Sequence, residues 1–212
     1  MTFGPGGLWR SSQSGAVDNG VYLYWIPLGA GGSGFVRFNG RVFEWATSRR
    51  EKRQPLDLYH TALEVCLPEG RFVVETMWPR PDRDKAARGV VVEGPVFASW
   101  LGFTRIFRYE VRCWPDGLLP DAGAAAGGPR LISSDVGAAK GLLDLVGSVP
   151  ELVWGRDQVG VGDMWNSNSV ISWLLARCGI DMDLVSAPDG GRAPGWDAGL
   201  AVAVMPGIRS GV

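Results

Sequence analysis

The sequence predicts an α+β fold, with an antiparallel sheet built early and helices added late. Runs of β-branched and aromatic residues, several of them alternating with polar ones, crowd the first half of the chain, and short turn sequences join them. Helix-like apolar segments with start and stop signals come only after residue 130. Strands that precede helices, rather than alternate with them, are the order of an α+β domain and not of a doubly wound sheet.

Residues 1–20 are rich in Gly and Ser and read as a flexible N-terminal segment. Val21–Leu28 (VYLYWIPL) reads as a buried strand. Gly29, Gly31 and Gly34 then have the spacing of a dinucleotide-binding loop. The following FVRFNGRVFEW, two alternating runs about Asn39-Gly40, is a hairpin signal instead of a helix start, so the glycines read as a turn. SRREKRQP (48–55) is a solvated connection. Leu58–Leu67 and Arg71–Met77 form a hairpin about Pro68-Glu69-Gly70, a charged loop spans 80–88, and Arg105–Arg112 is a third strand of that sheet. Residues 120–129 are a surface linker. Ser134–Val146 reads as a helix opened by Ser133 or Ser134 and Asp135. Val149–Trp165 is irregular, and Asn168–Cys178 is a second helix stopped by Gly179. Gly199–Met205 is expected as a closing strand. One domain over 21–205 and a tail at 206–212 follow from this reading.

Composition bounds the function. The 212 residues carry a net charge of -1, which gives no global basic field for a nucleic acid or an anionic membrane. No apolar run is long enough to span a bilayer. The N-terminus lacks a basic start followed by an apolar run, so no secretory leader is expected. Three cysteines (Cys66, Cys113, Cys178) in no regular spacing indicate neither a disulfide framework nor a zinc site, and a reduced, cytoplasmic protein is expected. Asp181, Asp183 and Asp189-Gly190 depart from a calcium loop in the placing of the glycine and the closing glutamate, so no metal and no cofactor is expected. Nothing in the sequence fixes the oligomeric state.

The chemistry-bearing stretch is MWNSNSVISWLLARCG (164–179). Val170, Ile171, Trp173, Leu174, Leu175 and Cys178 make its helix apolar on most sides, hence central and buried. Asn166, Ser167, Asn168 and Ser169 sit where such a helix needs its first N–H groups capped. The same geometry suits a nucleophile, because free N–H groups at a helix N-terminus can hold an oxyanion. A serine there needs a general base. The only imidazole is His60, in LYHTALEV. Alternation puts Thr61, Leu63 and Val65 toward the main core and His60, Ala62, Glu64 and Cys66 on the other face. Glu64 lies about 13 Å along the strand from His60, too far to orient it. If Cys66 pairs with Arg71, Glu75 becomes a same-face diagonal neighbour of His60. Asn166, Asn168 and Asp163 are rival orienters.

His60-Thr61-Ala62-Leu63-Glu64-Val65, followed far downstream by Asn166-Ser167-Asn168-Ser169 before an apolar helix, resembles the motif pair of circularly permuted papain-fold peptidases. The PPPDE group, with its deSUMOylating isopeptidase-like proteins, is the nearest in pattern; LRAT-like and permuted cell-wall amidase-type proteins are more distant. The resemblance covers roughly residues 20–180. It implies a permuted papain-like fold, an antiparallel sheet packed on a buried central helix. It also implies hydrolysis or acyl transfer at an amide, isopeptide or ester bond. Ser167, standing where that family has cysteine, would attack. His60 would act as base and then acid, Glu75 or an asparagine would orient it, and N–H groups near Asn168 would hold the oxyanion. Trp165 and Trp154 would wall the cleft. The serine leaves a second expectation open: a catalytically inactive module that keeps the groove and binds a peptide or protein partner.

Overall fold

The computed structural model describes residues 18–28, 54–79 and 88–205, with positions 30, 49, 52 and 85 besides. The expected N-terminal segment, the hairpin about Asn39-Gly40 and the tail lie outside the described residues, as do parts of the two charged connections.

The chain is α+β. Among the described residues six strands form one antiparallel sheet: β1 (Gly20–Pro27), β2 (Tyr59–Leu67), β3 (Gly70–Met77), β4 (Val90–Pro95), β5 (Arg108–Pro115) and β6 (Arg130–Ser133), in the spatial order β4-β5-β3-β2-β1-β6. Among the described residues three α-helices follow: α1 (Val136–Val146), α2 (Ser167–Arg177) and α3 (Trp196–Val204). The β2–β3 hairpin pairs Cys66 with Arg71 and Leu67 with Gly70. This is the register on which the position of Glu75 depends.

The sheet has one face in the main core. Val21, Leu23 and Trp25 from β1, Tyr59, Leu63 and Val65 from β2, and Val74 from β3 bury there at every second position, as a pleated strand requires. α1 and α2 pack on that face and α3 packs on α2. From Asn168 to Leu175 every residue of α2 is buried, so it is the central helix the sequence leads one to expect. The opposite face carries a polar cluster in which Glu64 accepts from Tyr24 Oη at 3.1 Å and from Arg71 Nη1 at 2.9 Å.

Two expectations about elements are corrected, and two strands were not expected. Residues 199–204 belong to a helix capped by Met205, because Ala198, Gly199, Val202 and Ala203 bury together at helical spacing; a short apolar run does not declare its own period. The third strand starts at Arg108, with Arg105–Phe107 forming a 3-10 turn before it. β4 and β6 have no counterpart among the sequence-based expectations. Both are short edge strands, and each pairs with its neighbour through a register irregularity that blurs alternation.

Candidate functional site

The N-terminus of α2 is held by its own polar residues. Asn166 is the N-cap; its Oδ1 accepts from the N–H groups of Asn168 at 2.8 Å and Ser169 at 3.4 Å. Ser169 Oγ accepts from Asn166 N at 2.9 Å, completing a reciprocal capping box, and donates to Gly195 O at 2.6 Å. Asn166 Nδ2 donates to Pro194 O at 2.8 Å. The Pro194-Gly195 turn is thus sewn onto the helix start. Gly195 has a φ of 92°, and a Cβ there would lie 2.2 Å from Asn166 Oδ1, so the cap and the turn fit only around glycine.

Asn168 then joins this turn to the sheet. Its Nδ2 donates to Tyr59 O at 3.0 Å and to Pro194 O at 2.8 Å, and its Oδ1 accepts from Thr61 Oγ1 at 2.9 Å. Thr61 and Asn168 are 1% and 3% exposed, so these bonds stand in place of water that cannot reach them. The two segments singled out in the sequence therefore meet, through Thr61 and Asn168.

The bond that joins them belongs to Thr61 and Asn168, the chain neighbours of His60 and Ser167. Thr61 and Tyr59 address the helix side of β2, and the pleat turns His60, between them, to the opposite face. There His60 stands beside Ile26 in the β1 register, and the sheet separates its imidazole from α2. The acid whose charge reaches His60 is Asp121, from the β5–β6 connection. Glu75, which the register sets one step diagonal to His60, pairs across the ladder with Arg112 of β5. Nor do the helix N–H groups wait for an oxyanion, since Asn166 already caps those of Asn168 and Ser169. Ser167 itself is the first residue of the helix and is partly exposed.

Trp165 is 1% exposed and donates from Nε1 to Tyr109 Oη at 3.1 Å. It is a core residue and walls no cleft. Trp154 packs between Tyr109 and Trp78, with ring centroids 5.3 and 5.8 Å away. Cys178 does not substitute as nucleophile: burial pushes its thiol up to about 11.

A groove lies beside the helix start, and sequence reasoning missed its floor. Two adjoining hollows of about 450 and 190 Å³ share Trp25, Ser186 and Ala187. Trp25 and Trp196 line the smaller one with their rings 5.1 Å apart. Trp25 Nε1 is buried without a hydrogen-bond partner. Asp163 borders the groove and accepts from Gly195 N with both oxygens at 2.8 Å. Burial raises the Asp163 carboxyl above the usual carboxylate range, the Asp197 charge adds to this, and the Gly195 and Met164 N–H groups and Arg192 oppose it. Trp25 sits in an unbroken aromatic strand and Trp196 in a stretch the sequence assigns to no element, so no spacing linked them.

Compared with protein-family models, with curated proteins and with solved structures, the chain finds no match.

The placement of His60 has a pH consequence. Burial lowers its pKa below the ordinary imidazole value, and the Asp121 charge offsets this only in part. The unfolded chain therefore takes up a proton at higher pH than the folded one. Stability should be full above the ordinary imidazole pKa and should fall as pH drops through it toward the lower folded value. Denaturant melts across that window should show this slope in the wild type and a flatter one in His60→Gln. Equal slopes would remove the buried neutral imidazole from the account.

Proposed function

We propose that the chain is a papain-like module in permuted order that binds a peptide, or an extended segment of a protein partner, without cleaving it. The observation that carries this reading is the use made of the Asn-Ser-Asn-Ser motif. Asn166, Asn168 and Ser169 spend their side chains holding α2 to β2 and to the Pro194-Gly195 turn, while the imidazole projects from the other side of the sheet. The direct bond between Thr61 and Asn168 supports the kinship, because it joins the two segments on which the resemblance rests. Serine in the family's cysteine position agrees with it, since a hydroxyl without a base in reach is a poor nucleophile.

Binding falls to the Trp25–Trp196 groove. Trp196, partly exposed and resting on the buried Trp25, offers a rigid indole face with few rotamers to freeze. The test has two arms. A serine-directed fluorophosphonate probe on the purified protein should leave Ser167 unlabelled. Peptides selected from a random display library on the wild type should bind Trp196→Ala at least about tenfold more weakly and Ser167→Ala equally well. Labelling of Ser167 that vanishes in His60→Ala would instead establish a serine hydrolase or acyl transferase acting at an amide, isopeptide or ester bond.

A further inference from the structure

The smaller of the two hollows beside α3 is lined by two carboxylates, Asp163 and Asp197, and one guanidinium, Arg192. Asp163 is 8% exposed, so its charge is largely cut off from water. It accepts from Gly195 N with both oxygens at 2.8 Å, and from Met164 N with Oδ1 at 3.0 Å. These backbone bonds satisfy the oxygens without cancelling the charge. The Arg192 charge reaches Asp163, but Arg192 makes no ion pair with it, and no other cation among the described residues does. Buried charges are paired as a rule, because an uncompensated one is costly to keep from water. Asp197, in the first turn of α3, puts a second negative charge on the same hollow and adds to the cost of ionising Asp163. A cation entering here would relieve both effects. Trp196 lines the hollow as well, and the face of an indole attracts a cation through its quadrupole.

Resting on the peptide-binding reading of the groove, we propose that this hollow takes a lysine side chain of the bound peptide, its ammonium beside Asp163 and Asp197 and its alkyl stem along Trp196. The volume, about 190 Å³, lies below the ~300 Å³ at which sites for whole drug-sized ligands begin, and so suits one side chain of a longer ligand. The charge of the lining favours a cation over a neutral or acidic residue. The bonding of Asp163 favours lysine over arginine. A guanidinium pairs best with a carboxylate whose two oxygens both face it, and both oxygens of Asp163 are already turned to Gly195 N. An ammonium is a compact charge that needs only one oxygen of each neighbouring carboxylate. Its four-carbon stem is apolar and lies naturally on an aromatic face.

The test titrates the full chain, labelled with nitrogen-15, with the Nα-acetyl N-methylamides of lysine, norleucine and arginine. The indole N–H signal of Trp196, assigned by its loss in Trp196→Phe, reports occupancy. The lysine probe should bind at least about tenfold more tightly than norleucine, which has the stem without the charge, and more tightly than arginine. Asp163→Asn should weaken the lysine probe at least about tenfold. Asp163 also holds the Gly195 turn, so Asp197→Asn, at an exposed position, is the second variant; it should fold like the wild type and weaken the lysine probe by about threefold. No response of Trp196 to the lysine probe overturns the proposal, as does norleucine or arginine binding equally tightly, or a lysine affinity unchanged in both variants. Peptides selected on the wild type separate this inference from the reading beneath it. If they depend on Trp196 yet bind equally well with norleucine in place of lysine, the ammonium site falls and the groove stands. A lysine-probe response with no selectable peptide does the reverse.

Discussion

Asn168→Ala is expected to destabilise the protein by roughly 3 kcal/mol, a large part of the net stability of an ordinary domain. The side chain satisfies one buried donor, Thr61 Oγ1, and two acceptors, Tyr59 O and Pro194 O. Each buried polar group left without a partner costs about 1–3 kcal/mol, and the three losses do not add fully because Pro194 O also accepts from Asn166 Nδ2. Asn168→Asp should do worse, since it turns a carboxylate oxygen toward two carbonyls in a site that water does not reach. Ser167→Ala, one residue earlier at a partly exposed position, should cost well under 1 kcal/mol. Thr61→Val with Asn168→Ala closes a double-mutant cycle, and a coupling of about 1 kcal/mol is expected from the direct bond. Chemical denaturation of the wild type, the four single variants and the double variant measures all of this. If Asn168→Ala melts like the wild type, the asparagine is not the clasp between α2 and β2, and the argument against catalysis weakens with it.

The sequence made the fold class legible because the informative elements are long and periodic. β2 and α2 lie within a residue or so of where alternation and the Asn-Ser cluster put them. The hairpin turn was legible too, since Pro68-Glu69-Gly70 leaves little freedom in register. What the sequence could not show is where one helix comes to rest over one sheet. Alternation alone already set Thr61 toward the core and His60 away from it. The motif pair drew His60 and Ser167 together, whereas the bond that joins the two segments belongs to their neighbours, Thr61 and Asn168. The groove was illegible for a related reason. Trp25 and Trp196 lie 171 positions apart, and their approach depends on α3 being a helix, which its short apolar run does not reveal. Asp121 likewise reaches His60 only because the β5–β6 connection returns beside the far face of the sheet.

Glycine to alanine should have opposite signs in two helices of this protein, and the difference locates the tightest packing in the fold. In α1, a Cβ added at Gly141 meets nothing within 4 Å. Gly141→Ala should therefore stabilise by about 0.5–1 kcal/mol, the ordinary gain from lower chain entropy in the unfolded state and better helix propensity. In α3, a Cβ at Gly199 would stand 2.0 Å from Ser172 Oγ and 2.2 Å from Ser169 O. The same propensity gain is available there, but α3 must move off α2 to realise it. That movement pulls on Ser172 Oγ to Trp196 O at 2.8 Å and on Ser169 Oγ to Gly195 O at 2.6 Å, the bonds that keep α3 and its leading turn on the central helix. Overpacking typically costs about 1–3 kcal/mol, and here two buried hydrogen bonds are lost with it, so a net loss of about 3 kcal/mol or more is expected. Removing the hydroxyl with Ser172→Ala should not rescue Gly199→Ala, because the second obstacle, Ser169 O, is a backbone carbonyl in the capped first turn of α2. Thermal melts of Gly141→Ala, Gly199→Ala and Gly199→Ala/Ser172→Ala decide the matter. A Gly199→Ala protein as stable as the wild type would mean that α3 does not rest on α2 at this distance, and the Trp25–Trp196 groove, one wall of which is the start of α3, would lose its support.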